Sequence, residues 1–195
     1  MDLLSFLMPV AAAAPELPFY YYHIPSLTGV NLQVSEFLNL AHKKIPNLAG
    51  VKYTHSDLYD MQKCIAVENG YYQILHGFDE ILLCGLSLGV KAAIGSTYNF
   101  LPALYIKIWD AFEHSDLPKA RQLQQISVKT VDILNRFGGP TVAGKAIMNL
   151  IGINCGPCRL PLQTLSEDKK LLLKQELMNI GFFTLIKDNT SVPAM

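Results

Sequence analysis

Over the first half of the chain, short apolar or aromatic runs alternate with stretches whose apolar residues recur at helical spacing. Residues 19–24 (FYYYHI) sit between Pro18 and Pro25 and carry the aromatic side chains that suit a pleated strand. Val34, Phe37, Leu38 and Ala41 share one face of a helix over 34–44. LAGVKY at 48–53 reads as a second strand. Ser56 is placed to cap a helix running through Leu58 and Met61 to Val67, ahead of Gly70. YYQILHG at 71–77 is a third strand, 79–88 a helix stopped near Gly89, and AAIGS at 92–96 a fourth strand. Beyond that the pattern is helical only, over 101–114, 117–137, 141–150 and 166–180, with a Pro/Gly/Cys-rich bend at 152–161 before the last helix.

Regular alternation of strand and helix argues for parallel βαβ units. Chemistry-bearing residues then fall in a consistent place. Tyr22, Lys52, Gly77 with Asp79 and Glu80, and Ser96 all lie at or just past the C-terminal ends of the four strands. A (β/α) barrel opens every such end onto one active-site face. A doubly wound sheet also gathers strand ends, but no Gly-rich phosphate loop follows any of these strands. A complete barrel takes eight βα units and about 250 residues. The expected fold class is therefore α/β: the C-terminal half of a (β/α)8 TIM barrel, four βα units, followed by a helical extension. Residues 1–114 would be the partial barrel and 115–195 the extension of the same domain. Half a barrel leaves two sheet edges and an apolar face to be covered.

Composition narrows the function classes. Hydrophobic residues make up 50% of the 195 positions and charged residues 16%, a globular balance. The formal net charge is zero, which gives no basic face for nucleic acid. No apolar run reaches the ~18 residues of a membrane span. The opening MDLLSFLMPVAAAAP loosely mimics a secretory leader, but its first charge is Asp2 and no basic residue precedes Leu3. It reads better as the end of a helix. Four cysteines in a chain of this size make no disulfide framework, so a reducing, cytoplasmic setting is expected.

The tetrapeptide Cys155-Gly156-Pro157-Cys158 is the one found in thioredoxins. It follows a helix rather than a strand, and Pro161 breaks any helix it could open. A thiol–disulfide protein is thus a remote alternative. One CxxC pair without a second is a weak metal signal, and the five histidines show no zinc-protease spacing. His23 and His55 sit near the strand ends and are expected to be structural.

Four segments in order carry a more specific signal. Tyr22-His23-Ile24-Pro25 with Thr28-Gly29, Gly50-Val51-Lys52-Tyr53-Thr54, Gly77-Phe78-Asp79-Glu80 and Gly95-Ser96-Thr97-Tyr98-Asn99 resemble motifs of the N-acetylneuraminate lyase and dihydrodipicolinate synthase superfamily. Gly156-Pro157-Cys158-Arg159-Leu160-Pro161-Leu162 resembles a segment of its C-terminal helical region. The likeness runs over essentially the whole chain and favours the lyase branch. It implies a class I aldolase that cleaves N-acetylneuraminate to N-acetylmannosamine and pyruvate, a cytoplasmic homotetramer of carbohydrate metabolism. Lys52 would form the Schiff base and Tyr22 would relay the proton. Thr54, Gly77, Asp79, Glu80 and Ser96 would hold the substrate. The imine serves as electron sink, so no cofactor or metal is called for.

The bottom-up chemistry agrees with these residue types. A lysine must be neutral to attack a carbonyl, and burial lowers its ordinary pKa of about 10.4. A phenol beside an imine can pass a proton. Asp79 and Glu80 can accept from vicinal hydroxyls, and they also suit a helix N-terminus. Ser96 and Thr97 also suit a turn or cap. The family's carboxylate-binding Gly-Ser/Thr loop and its neighbouring-subunit tyrosine lie upstream of the matched region. The resemblance therefore also implies a truncated form, whose alternative role is a catalytically inactive isoform acting by association.

Overall fold

The computed structural model describes residues 3–187, which fall into two compact units. Among these residues the first unit runs up to Phe78 and takes in Cys84–Ile94, and the second takes in Asp79–Leu83 and the chain from Gly95 on. Asp2, the charge that argued against a secretory leader, lies outside the described residues.

The first unit is built on a parallel sheet of order β1-β2-β3-β4: Phe19–His23, Leu48–Tyr53, Gln73–His76 and Ala92–Ala93. Helices α1 (Leu3–Ala12), α2 (Pro25–Thr28), α3 (Val34–Ala41) and α4 (Leu58–Ala66) connect and flank it. Alternation along β1 and β2 turns Tyr21, His23, Val51 and Tyr53 into the core, where Val34, Leu38, Ala41 and Met61 meet them. Asn47 closes the end of α1 by donating to the carbonyls of Ala11, Ala14 and Leu17 at 3.0–3.2 Å. Helix α5 (Leu82–Leu88) carries the chain from the second unit back into the first.

The second unit is helical: α6 (Pro102–Glu113), α7 (Leu117–Arg136), α8 (Gly139–Leu150), α9 (Glu167–Asn179) and α10 (Phe182–Lys187), with single 3-10 turns at Asp79–Ile81 and Thr97–Asn99. Asp116 starts α7 by accepting the Lys119 N–H at 3.1 Å, with Pro118 in the first turn. Ser166 caps α9 in the same way, ahead of Glu167 and Asp168. Leu104, Ile108, Leu134, Ala143, Ile147, Leu173, Leu177 and Phe182 form the core. The Arg136–Glu176 ion pair joins α7 to α9.

Three expectations need correction. Ser56 does not cap α4; Asp57 does, its Oδ1 accepting the Asp60 N–H at 2.9 Å. The third strand begins at Gln73 rather than Tyr71, because Gly70 in the left-handed region turns the chain and leaves Tyr71 exposed. The fourth strand is two residues long rather than five. Ile94 N–H adds one bond to the His76 carbonyl at 2.9 Å. After Gly95 the Thr97 N–H donates to the Asp79 carboxylate, which pulls residues 97–99 into a 3-10 turn instead of the ladder. Helix α10 falls beyond the last helix expected from the pattern.

Candidate active site

Tyr22 and Lys52 are Cα partners on neighbouring parallel strands, so their side chains leave the same face of the sheet. The Lys52 Nζ lies 4.2 Å from the centroid of the Tyr22 ring, over its face, where the ring quadrupole attracts the ammonium. Lys52 is half-buried and Tyr22 is 44% exposed, which leaves the pair open on one side. Thr54 and Gly77 take the next steps. The Thr54 N–H donates to the His23 carbonyl and the Gly77 N–H to the Tyr53 carbonyl, both at 2.9 Å. Each strand end is thereby stitched one residue beyond the strand. A Cβ on Gly77 would collide with the Thr54 side chain, so this position holds glycine for close packing. The Thr54 hydroxyl is buried and has no hydrogen-bond partner among the described residues.

The opposite face of the same strands is unusually polar for a parallel sheet, whose buried faces are normally aliphatic. His23, Tyr53 and His76 are each at most 1% exposed. Asp60 is the centre of this layer, 1% exposed on α4. Its carboxylate accepts the Val34 N–H (2.8 Å), the Ser35 N–H (3.3 Å), the Ser35 hydroxyl (2.6 Å) and, weakly, the Tyr53 hydroxyl (3.4 Å). It therefore holds the N-terminus of α3 and the end of β2 together, one residue from Lys52. Burial first, and then the Asp60 charge, push the Tyr53 phenol and the Cys64 thiol well above their ordinary values, so both remain protonated donors. Sequence reasoning missed Asp60, because its partners lie 25 and 26 positions upstream. Asp60→Ala strands these donors in the core. It is expected to cost about 3 kcal/mol of stability by urea titration, with Asp60→Asn costing less.

Burial lowers the His23 pKa, nearby His55 lowers it further, and Asp60 opposes both. The folded chain thus keeps His23 neutral. Above the ordinary histidine value of about 6.5 neither state binds the proton, and stability is unaffected. Below it the unfolded chain takes a proton that the fold refuses, so stability falls as pH falls toward the depressed folded value. The urea midpoint is expected to drop between pH 7 and pH 5, and His23→Gln is expected to flatten that slope.

The remaining candidates belong to the second unit. Asp79 is 4% exposed, and its Oδ2 accepts the Thr97 N–H at 2.8 Å and the Thr97 hydroxyl at 2.5 Å. Its backbone carbonyl accepts from Gln124 and Ser127 on α7, both at 3.1 Å. Thr97 and Ser127 also share the Tyr105 hydroxyl. Gly95 is required here, since a Cβ would overlap the Asp79 carboxylate. Asp79 is therefore a structural anchor of the turn that carries Ser96. Glu80 beside it is half-buried. Burial pushes its carboxyl above the usual range, its own backbone N–H opposes this, and the Asp79 and Asp132 charges add to it. The Ser96 side chain makes no cap bond, and its carbonyl accepts the Asn99 side-chain amide at 2.8 Å. The Tyr98 hydroxyl is buried without a partner among the described residues, and sequence reasoning gave it no role.

The Cys155–Cys158 tetrapeptide opens no helix; residues 153–159 are irregular surface chain. Among the described residues no three or more His, Cys, Asp or Glu side chains are grouped to hold a metal ion, and no helix is long and apolar enough to cross a membrane.

Comparison with known proteins places this arrangement. The dihydrodipicolinate synthetase family matches residues 2–180. The chain belongs to this family. Among curated members, N-acetylneuraminate lyase of Rattus norvegicus is 41% identical over 184 residues, covering 93% of this chain and 58% of the relative. The solved N-acetylneuraminate lyase (sialic acid aldolase) of Aliivibrio salmonicida superposes with a TM-score of 0.88 at 39% identity, covering 93% of this chain and 60% of that one. A Ruminococcus gnavus sialic acid aldolase, solved as a catalytic lysine mutant, superposes at 0.82 with 28% identity over 92% of this chain and 59% of its own. The chain thus spans about three-fifths of the length of these family members. The α/β fold, with four parallel strands and their helices, corresponds to part of the family's (β/α)8 barrel.

Proposed function

We propose that this chain carries the reacting groups of an N-acetylneuraminate lyase, cleaving N-acetylneuraminate to N-acetylmannosamine and pyruvate through a Schiff base on Lys52. The observation that carries the reading is the Lys52 ammonium over the Tyr22 ring, on paired positions of adjacent strands. The naming of a catalytic lysine in the Ruminococcus gnavus aldolase supports it. Lys52 attacks the C2 ketone and loses water to give the imine. The C4 hydroxyl then gives up its proton as the C3–C4 bond breaks, and the electron pair moves into the iminium. Tyr22, on the same face, takes that proton and returns it to the enamine carbon, and water then hydrolyses the pyruvate imine, releasing pyruvate and the Lys52 amine.

Thr54 and Gly77 at the stitched strand ends, with Asp79, Glu80 and Ser96 at the following turns, hold the sugar hydroxyls and the substrate backbone. Asp79 contributes mainly by fixing the Ser96 turn, and Glu80 by its half-buried carboxyl. Residues 1–114 serve as the barrel portion and 115–195 as a helical extension of the same domain. The working form is a cytoplasmic homotetramer acting on small molecules. The test is reductive trapping: pyruvate with borohydride should add a stable mass to the peptide containing Lys52, and N-acetylmannosamine should be released from N-acetylneuraminate. Folded chain that gives no adduct at Lys52 would falsify the reading.

A further inference from the structure

The Cys155-Gly156-Pro157-Cys158 loop has no part in the proposed lyase chemistry, yet its placement is specific. Free cysteines are usually among the most buried residues. Cys64 follows that rule: it is fully buried with its thiol held protonated beside Asp60. Cys155 breaks it, lying exposed in a surface loop, and Cys158 is half-buried three residues on. Between them Gly156 adopts φ +66, the left-handed region that turns the chain.

The loop is curled around one cation. The Lys145 ammonium, projecting from α8, donates to the carbonyls of Cys155 at 2.8 Å and Pro157 at 2.9 Å. Both oxygens on one nitrogen require the backbone to fold back across Gly156. The Gly156 N–H donates to the Asn154 side chain at 2.9 Å and the Cys158 N–H to the Thr164 hydroxyl at 2.9 Å. Apart from these bonds the segment is solvent-exposed except at half-buried Cys158, with no ladder or helix to break if it moves. Two thiols three positions apart, one of them exposed, on a curved and lightly tethered loop, are the elements of a closable dithiol.

We propose that Cys155 and Cys158 form a reversible thiol–disulfide site that accepts low-molecular-weight disulfides of the glutathione class. The Cys155 thiolate attacks one sulfur of the small disulfide, forming a mixed disulfide and expelling one small thiolate. The Cys158 thiolate then attacks the Cys155 sulfur, closing the intraloop bond and expelling the second. The protein loses two electrons and two protons, and the small disulfide becomes two thiols. Lys145 favours the open dithiol form, because closing the loop draws the Cys155 and Pro157 carbonyls off its ammonium. The site is a modification site rather than an oxidoreductase centre, since no helix follows Cys158 to activate a thiol.

Trypsin should release both cysteines in one peptide, residues 146–159, between Lys145 and Arg159. After incubation with oxidised glutathione and then an alkylating agent, the full-length chain should yield that peptide two hydrogens lighter and unalkylated. Cys158→Ser should stop as a glutathione adduct on Cys155. Lys145→Met, in which the two cysteines are released on the longer peptide 137–159, should shift the glutathione ratio at half-oxidation about tenfold toward the disulfide. Circular dichroism checks that each variant is folded. Wild-type peptide that remains fully alkylated, or that ends as the same glutathione adduct as Cys158→Ser, overturns the proposal. An unchanged half-oxidation ratio in Lys145→Met overturns the part assigned to that lysine. None of these readouts depends on lyase activity, so the two readings fail independently.

Discussion

Lys52→Arg is expected to abolish the pyruvate adduct and lower N-acetylneuraminate cleavage by about 10⁴-fold or more, roughly 5.5 kcal/mol of transition-state stabilisation. The substitution is chosen because it leaves the electrostatics nearly intact. A guanidinium also stacks on a tyrosine face, so the contact with Tyr22 persists and the sheet has no reason to move. What is lost is a nitrogen that can be neutral and nucleophilic, and no other group on that face replaces it. Tyr22→Phe separates the two steps. It keeps the ring beneath the ammonium and removes only the hydroxyl. Its expected signature is an undiminished borohydride adduct with cleavage slowed about 10²- to 10⁴-fold. Should Tyr22→Phe also lose the adduct, the hydroxyl would belong to imine formation instead, and the assigned proton relay would be wrong.

The second large effect is structural. Gly50→Ala places a methyl group against the Gln73 carbonyl oxygen of the neighbouring strand, well inside contact distance. A flexible side chain would yield, but this neighbour is backbone in the middle of the sheet, held by the β2–β3 register. Ordinary overpacking costs about 1–3 kcal/mol; here the strands must separate, and about 4 kcal/mol is expected, a large part of a domain's ordinary stability of about 5–15 kcal/mol. The comparison is Gly89→Ala, which meets no atom within 4 Å and carries only the strain of its φ of +97, worth about 1 kcal/mol. Urea midpoints measured side by side should rank the two well apart. Similar midpoints would mean that β2 and β3 can shift to admit the methyl.

Gly50 also shows what could be read from the chain and what could not. Its motif, Gly50-Val51-Lys52-Tyr53-Thr54, located the strand and the lysine. The aromatic run at Tyr20-Tyr21-Tyr22 located the strand beside it. Alternation and order were enough to expect parallel pairing. The register Tyr22↔Lys52 was not visible in either segment alone, because it is set by the ladder between them. The polar layer behind them was equally hidden. Tyr53 and His23 look like ordinary strand residues until the start of a separate helix supplies the Asp57 carbonyl as acceptor for one and the Asp60 charge opposite the other. The fourth strand was read too long for a related reason. Residues 92–96 are strand-like in composition, but the Asp79 carboxylate offers the Thr97 N–H a better partner than the ladder does. Helix interiors, governed by apolar spacing, were legible nearly to their ends. Caps, registers and buried carboxylates are long-range choices and were not.

The bonds stitching each strand end to its neighbour, from Thr54 to His23, Gly77 to Tyr53 and Ile94 to His76, divide the first unit into a floor and a rim. Below the stitch, backbone ladders fix where Tyr22 and Lys52 stand relative to each other. Above it, residues 29–33 run outside the ladders at the exposed surface, whereas Asp57 caps α4 and accepts the Tyr53 hydroxyl and so ties its part of the rim to the floor. A change in the exposed rim can therefore alter what reaches Tyr22 and Lys52 while the ladder keeps the spacing of the pair.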